Sequence, residues 1–521
     1  MPARVTFLLG RSGSGKTRRL HRCIKEALDK GRRVVVIVPE QFTFETERQL
    51  ASELGGLMDI EVYSFSSLAE KTLEGSYLGF LSRQGRRMAV RKTITEQGSK
   101  LRIFARVKDR PGFSERLCEL FTACKRYEVA PGDLLDGAEK AGEDSLLANK
   151  LTELALLYGE TESYISGRYM DSEDMFAALI QNLPSSPIAG AEVVIDDFDL
   201  LTDQLYHLMA AMTKHAESMY ISLRMDPKEG RDAKLFAPKR RAYARLYGAA
   251  QENGCDIRVI QLPDGSPKRQ TDPALAHLEA EVFAYPYKIY GGEAPSLRIA
   301  AATSVSAECE MAAEAVLRCA QRGMRYRDMA VIATEPAYEL QLLRSMQRRG
   351  IPCFSDGARK LSAYGAPRLV LSALKCVNRG YNLNYIMDML RTGLTGIEGG
   401  DIDLFENYAL RCGIGGTGFK KPFDQEIPEK VRGFIISRID NFHTAFVNAP
   451  TARDKAAALF AFMESMGLYD SINGLVGRLR AEGRHQLAEE NAQVYRLMLT
   501  VLDQLHAIMG EGAVSARRFA A

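Results

Sequence analysis

The sequence of 521 residues contains no tryptophan, a mildly unusual absence that decides nothing. Other absences exclude more. No apolar run approaches the ~20 residues that a membrane-spanning helix needs, and the first residues lead straight into a strand pattern, not into the apolar core of a secretory signal. A cytoplasmic location with no membrane partner is the expectation. The nine cysteines are odd in number and scattered, without a C-x-x-C pair, which argues against a disulfide framework and against zinc or iron–sulfur ligation by these residues. The seven histidines are equally dispersed and read as surface or core residues, not as ligands or bases.

What is present is the composition of an ordinary soluble protein, 46% hydrophobic and 26% charged, in a chain long enough for roughly three or four domains. The net charge of +3 averages over a strong asymmetry. Residues 81–130 carry 13 Lys/Arg against 5 Asp/Glu, whereas residues 131–200 carry 3 against 15. Two readings stay open: a surface that faces an anion such as nucleic acid beside one that avoids it, or solvated helix faces that pair with each other.

Val5 to Leu9 is a β-rich run without polar alternation, as expected of a strand buried on both faces of a parallel sheet. A helix from about Lys16 to Leu28 follows, then a second such strand at Val34–Val38, stopped by Pro39, and a third at Ile60–Tyr63. Helical periodicity runs from about 72 to 186, with breaks at Arg110-Pro111-Gly112 and Ala130-Pro131-Gly132. Strand character resumes at Val193–Ile195 and Met219–Leu223, and the Pro/Gly content of residues 264–295 reads as a linker. A second α/β unit is expected from strands at Leu297–Ala300, Met329–Ile332 and Ile351–Phe354 with helices across 307–321 and 337–348. Beyond about 377 the pattern is mostly helical, and no repeat of fixed period is present.

Between the first strand and helix lies Gly10-Arg11-Ser12-Gly13-Ser14-Gly15-Lys16-Thr17, a G-x-x-x-x-G-K-[ST] loop. Its glycines let backbone N–H groups curl around phosphate oxygens, and the helix N-terminus adds a favourable dipole. These eight residues are the candidate ATP site, with Lys16 reaching the β- and γ-phosphates and Thr17 ligating Mg2+. The candidate magnesium carboxylate is Asp196, at the end of the Val193–Ile195 strand. Asp197 occupies the place where a hydrolytic enzyme keeps a Glu to polarise water, one methylene shorter than that task wants.

With the loop and this strand in place, other segments resemble a superfamily 1 helicase core, and more narrowly the AddB (RexB) family of helicase–nuclease subunits. They are Val38–Phe44, Val62–Ala69, Lys125-Arg126-Tyr127, Ile195–Phe198, Leu275–Glu279 and Tyr326–Ala333. The resemblance implies an α/β fold of two RecA-like domains, each bearing a helical insertion. The first domain is 1–70 with 190–290, its insertion 71–189, the second domain 291–376 and its insertion 377–521. It implies that Gln41, Thr43, Phe65 and Ser67 line a single-stranded DNA path that reads Chi-type sequences. It also implies an AddA-like motor and nuclease subunit as partner in a heterodimer, single- and double-stranded DNA as ligands, and ATP with Mg2+ as cofactors. An iron–sulfur cluster is implied only for a C-terminal nuclease domain that this chain does not contain, so the chain reads as the N-terminal helicase-like half.

Departures from an active helicase carry information too. After Leu223 an active enzyme shows Gly-Asp and then a Gln that senses the γ-phosphate, but here Arg224-Met225-Asp226-Pro227 follows. No arginine occurs in Ala333–Leu340, where motor enzymes place one against nucleotide. The expectation is a chain that binds ATP, hydrolyses it negligibly and cuts no DNA. The rival readings are a self-sufficient superfamily 1 helicase and a P-loop kinase acting on a small molecule.

Overall fold

The computed structural model describes residues 3–56, 59–74, 81–142, 145–198, 201–226, 230–262, 272–355, 360–510, 512 and 514–519. The chain divides into two compact units, residues up to 294 together with 501–512, and residues 295–500 together with 513–520.

The first unit is organised by the apolar runs. Strands β1 (Arg4–Gly10), β2 (Val34–Ile37), β3 (Ile60–Tyr63), β4 (Glu192–Ile195), β5 (Ser218–Arg224) and β6 (Asp256–Gln261) form one sheet in the order β3-β2-β4-β5-β1-β6, parallel throughout. Successive side chains of a strand point to opposite faces, and here both faces are covered. Val5, Phe7, Leu9, Val35, Ile37, Val193 and Ile195 enter one core, while Leu8, Val34, Val36 and Val194 enter the other. That is why these strands carry no polar alternation. The second core is closed by Leu20, Ile24 and Ala27 of α1 (Lys16–Leu28) and Leu50 of α2 (Thr43–Leu54). The first core is closed by α3 (Phe65–Thr72) and by helices that follow below.

Between β3 and β4 the chain is helical: α4 (Arg83–Gln97), α5 (Pro111–Arg126), α6 (Pro131–Lys140), α7 (Leu146–Ile165) and α8 (Asp174–Asn182). Pro111 and Pro131 stand at the first position of their helices, where the missing N–H costs nothing. Val90, Ile94, Leu117, Phe121, Leu157 and Tyr158 make a separate small core there. Ile508 is buried beside Leu81, Ala89 and Ile165, and its carbonyl accepts hydrogen bonds from Lys92 Nζ (3.2 Å) and the Tyr164 hydroxyl (2.9 Å). After β4 come α9 (Asp203–Met212) and, after β5, α10 (Ala233–Glu252), both packed on the first core.

Part of the segment read as a linker is helical, while residues 282–295 form no regular element. Residues 273–281 form α11 (Pro273–Glu281), capped by the Asp272 carboxylate, which accepts from Ala274 N (2.8 Å) and Leu275 N (3.2 Å). An Asp N-cap followed by proline is a helix-start signal that outweighs the local Pro/Gly content.

In the second unit the longer regular elements among the described residues are helices, α12 (Val305–Gln321), α13 (Pro336–Arg348), α14 (Gly365–Arg379), α15 (Leu383–Leu390), α16 (Gly399–Arg411), α17 (Glu426–Asn448), α18 (Ala452–Ser465), α19 (Leu468–Ala481) and most of α20 (His485–Met509). The two helices expected first, at 307–321 and 337–348, are α12 and α13. The three strands expected beside them are not formed among the described residues. Ile299, Ile332 and Phe354 are exposed, and only Ile351 is buried, under Ala313 and Met346. An apolar run becomes a strand only when neighbouring strands take up its N–H and C=O groups, and the run itself does not report whether those neighbours exist. The uncovered side of α12 and α13 lines an open cavity of about 1330 Å3. The α/β character with a parallel sheet is thus established for the first unit; among the described residues of the second unit there is no sheet.

The charge asymmetry resolves partly into pairing. Lys125 Nζ lies 2.6 Å from Glu162, 2.9 Å from Asp171 and 2.6 Å from Asp174; Arg86 lies 2.9 Å from Asp171 and 3.3 Å from Glu162; Arg126 lies 3.1 Å from Glu173. Burial, and for Asp174 the neighbouring Asp171 charge, hold the Glu162 and Asp174 carboxyls above their usual range. Lys125→Ala removes the central cation and leaves buried carboxylates undercompensated, a change expected to cost about 3–5 kcal/mol of stability. The cost is full at neutral pH, where the carboxylates are ionised, and shrinks as pH falls through the raised range of Glu162 and Asp174. Urea unfolding at pH 7 and pH 5 checks this; an equal loss at both contradicts it.

Candidate functional site

The glycine-rich loop connects β1 to α1 at the carboxyl end of the sheet, where parallel α/β proteins place ligands. Gly13 and Gly15 adopt left-handed φ of 76° and 89°, and Gly15 is the N-cap of α1. A Cβ at Gly10 would lie 2.4 Å from Ser14 Oγ, so a side chain there would have to displace the Ser14 hydroxyl. The Ser14 hydroxyl is buried without a hydrogen-bond partner among the described residues. Lys16 Nζ donates to the carbonyls of Gly10 (2.9 Å) and Arg11 (2.8 Å). Burial lowers its pKa to about 8; Asp196 and Asp197 oppose the shift and Arg224 adds to it.

Adjacent to β1 in the sheet is β5, and beyond it β4, which delivers Asp196 and Asp197. The Thr17 hydroxyl donates to Asp196 Oδ2 at 2.9 Å, tying the start of α1 to the end of β4. Asp196 Oδ1 accepts from its neighbour's amide at 3.0 Å and from the Ser222 hydroxyl of β5. Asp197 has φ of 62°, a left-handed conformation unusual for a residue with a side chain, and its carboxylate pairs with Arg224 at the end of β5. An unpartnered hydroxyl, a glycine-rich turn and a hydroxyl–carboxylate pair are donors and acceptors that suit phosphate oxygens and a hard divalent cation.

Arg11 has another use. Its guanidinium lies 2.6 Å from Asp232, 3.1 Å from Glu279 and 3.2 Å from Asp226, and stacks over Phe236 at 5.1 Å. The side chain thus fastens α11 and the approach to α10 onto the loop, while Ser12 stays exposed. This cluster is invisible in the sequence because its members are more than 200 residues apart from Arg11.

The four residues expected along a DNA path divide. Gln41 is exposed, and Thr43, half-buried, donates its hydroxyl to the Glu40 carbonyl at 2.9 Å. Phe65 is buried, 4% exposed, with its ring 4.9 Å from that of Phe198, so it offers no face to a base. Ser67 forms a reciprocal capping box with Ser64 at the start of α3. The rings left open are Phe42 (40% exposed) and Phe44 (74% exposed), on either side of Thr43. Two aromatics within four residues of Gln41 and on no apolar period were the signal for them.

By fold and loop, the protein is a parallel α/β protein with a glycine-rich strand–loop–helix turn and an acidic strand end beside it. The chain belongs to the AddB family: the family model described as "ADDB, N-terminal" matches residues 7–279. An ATP-dependent helicase/deoxyribonuclease subunit of Acetivibrio thermocellus is 32% identical over 552 residues, covering 99% of this chain and 48% of the relative. Its namesake in Desulforudis audaxviator is 32% identical over 563 residues, again 99% of this chain and 48% of the relative. That of Alkaliphilus metalliredigens is 28% identical over 554 residues with the same coverage. The chain therefore spans about half the length of the curated relatives it matches. No helix among the described residues is long and apolar enough to cross a membrane.

Proposed function

We propose that this chain is the nucleotide-binding, DNA-scanning part of a cytoplasmic recombinational-repair helicase–nuclease subunit, working as a heterodimer with an AddA-like motor and nuclease subunit. The observation that carries the reading is the Thr17–Asp196 contact beside the Lys16 loop. Thr17 and Asp196 would hold Mg2+, whose charge would neutralise phosphate oxygens; Lys16, the Ser14 hydroxyl and the loop amides would hold the phosphates themselves. Lys16 gives up two backbone carbonyls on binding and gains an anion, which restores an ammonium weakened by burial. Lys16→Ala is expected to weaken ATP binding by roughly 2–3 kcal/mol, the loss of a charge-assisted hydrogen bond at a partly buried site. Titration calorimetry checks it, and equal affinities of variant and parent would sink the nucleotide assignment.

Single-stranded DNA is proposed to run across the segments that follow β2 and β3; the substrate class comes from the relatives, which are helicase/deoxyribonuclease subunits by name. Gln41 and Thr43 offer hydrogen bonds to bases or phosphates, Phe42 and Phe44 offer rings for stacking, and Chi-type preference would reside in Gln41. The exposed cations Lys100, Arg102, Arg106, Arg110 and Arg116 supply the salt-dependent share of the affinity. Phe44→Ala is expected to weaken oligonucleotide binding by roughly 1–3 kcal/mol, whereas Phe65→Ala lowers the unfolding midpoint and acts on DNA only through stability. Fluorescence anisotropy with thermal melts separates the two. A neutral Phe44→Ala beside a folded Phe65→Ala that binds DNA poorly would reverse the assignment.

A further inference from the structure

The last residue of β5 stands beside the loop, outside the set of phosphate contacts that the motif itself supplies. Arg224 is in parallel register with Gly10, the first residue of the loop, and the next amide, Met225 N–H, donates to the Gly10 carbonyl at 3.2 Å. Two residues earlier on the same strand, and so on the same face, Ser222 holds the Asp196 carboxylate. Strand β5 thus reaches toward the end of β4 with two side chains: Ser222 to the acid that faces Thr17, and Arg224 to the acid after it. Both partners of the Arg224–Asp197 pair keep 41% of their side-chain surface open to solvent. The guanidinium also adds to the depression of the Lys16 pKa, which burial chiefly causes.

Lys16 and Arg224 stand there with Asp196 and Asp197. An incoming polyanion accompanied by a divalent cation competes at both ends: the cation for Asp196, and the phosphates with Asp197 for the guanidinium. Arginine suits such an exchange, because its planar fork binds carboxylate and phosphate in the same geometry and cannot lose its proton.

We propose that Arg224 is a ligand of the terminal phosphate of a bound nucleoside triphosphate, exchanged to it from Asp197, and so makes the loop discriminate triphosphate from diphosphate. This rests on the nucleotide reading given above and adds to it the residue that tells the two nucleotides apart. Arg224 takes the part for which Arg224-Met225-Asp226 offers no glutamine. Asp197 then serves as the resting partner of the arginine, which accounts for an acid held in a left-handed conformation facing β5.

The test measures Mg-ATP and Mg-ADP affinities by calorimetry for the parent chain, Arg224→Ala, Arg224→Lys and Asp197→Asn, with circular dichroism to establish folding. Arg224→Ala is expected to weaken ATP roughly ten- to a hundredfold while changing ADP by less than about threefold. Arg224→Lys is expected to recover part of the loss, and Asp197→Asn, which removes a carboxylate that competes with phosphate for the guanidinium, to tighten ATP selectively. An unchanged ATP-to-ADP ratio in folded Arg224→Ala overturns the assignment while leaving nucleotide binding intact. A parent chain that binds neither nucleotide overturns the nucleotide reading itself. Should Arg224→Ala fail to fold, Asp197→Asn decides: no change in its ATP-to-ADP ratio removes the exchange.

Discussion

The hydrogen bond from the Thr17 hydroxyl to the Asp196 carboxylate joins two pieces of chain 179 residues apart, and the rest of the site is arranged around it. It can form only because the sheet brings the carboxyl ends of β1, β5 and β4 side by side, in register, with both faces sealed by apolar side chains. Burial of those faces does not care about the polar residues at the strand ends. It supplies the rigidity on which they depend, since a pair of short side chains cannot bridge two elements that shift by an ångström.

Electrostatic balance is the second constraint. The charges gathered at the loop have opposite neighbours: Arg11 with Asp226, Asp232 and Glu279, Arg224 with Asp197, and Lys16 near Asp196. The Arg11 cluster is enclosed and serves the fold, holding α11 to the loop. The Arg224–Asp197 pair is half-open to solvent, as the proposed exchange requires. That difference in enclosure separates a structural ion pair from one available to a ligand, because a pair taken out of water is costly to break and a solvated pair is not.

Much of the first unit could be read from the amino-acid order, for one physical reason. Strands buried on both faces leave an uninterrupted apolar signature, as Val5–Leu9, Val34–Ile37 and Val193–Ile195 do. Strand β6 escaped because it is a mostly exposed edge strand, Asp256-Ile257-Arg258-Val259-Ile260-Gln261, whose charged residues break up any continuous apolar run. The helix α11 escaped because Pro and Gly nearby masked a capped start. The opposite error came at Leu297–Ala300, Met329–Ile332 and Ile351–Phe354, where apolarity was present and strand partners were not. At the site, the loop and Asp196 were legible because motif and strand context are local. Ser222, Arg224 and the Arg11 cluster were not, because they depend on register between distant strands. Phe65 misled for a related reason: an aromatic after a strand reads equally well as a stacking platform or as core, and only its contact with Phe198 decides.

The role proposed for Asp196 and Thr17, the cation end of a nucleotide site, is tested most directly by the magnesium dependence of ATP affinity in Asp196→Asn. Calorimetry with magnesium and with excess chelator, on the parent chain and the variant, gives the answer. Magnesium is expected to tighten ATP in the parent and to make no difference in the variant, which keeps the Asp196 shape without its charge. An undiminished magnesium effect in Asp196→Asn would contradict that role.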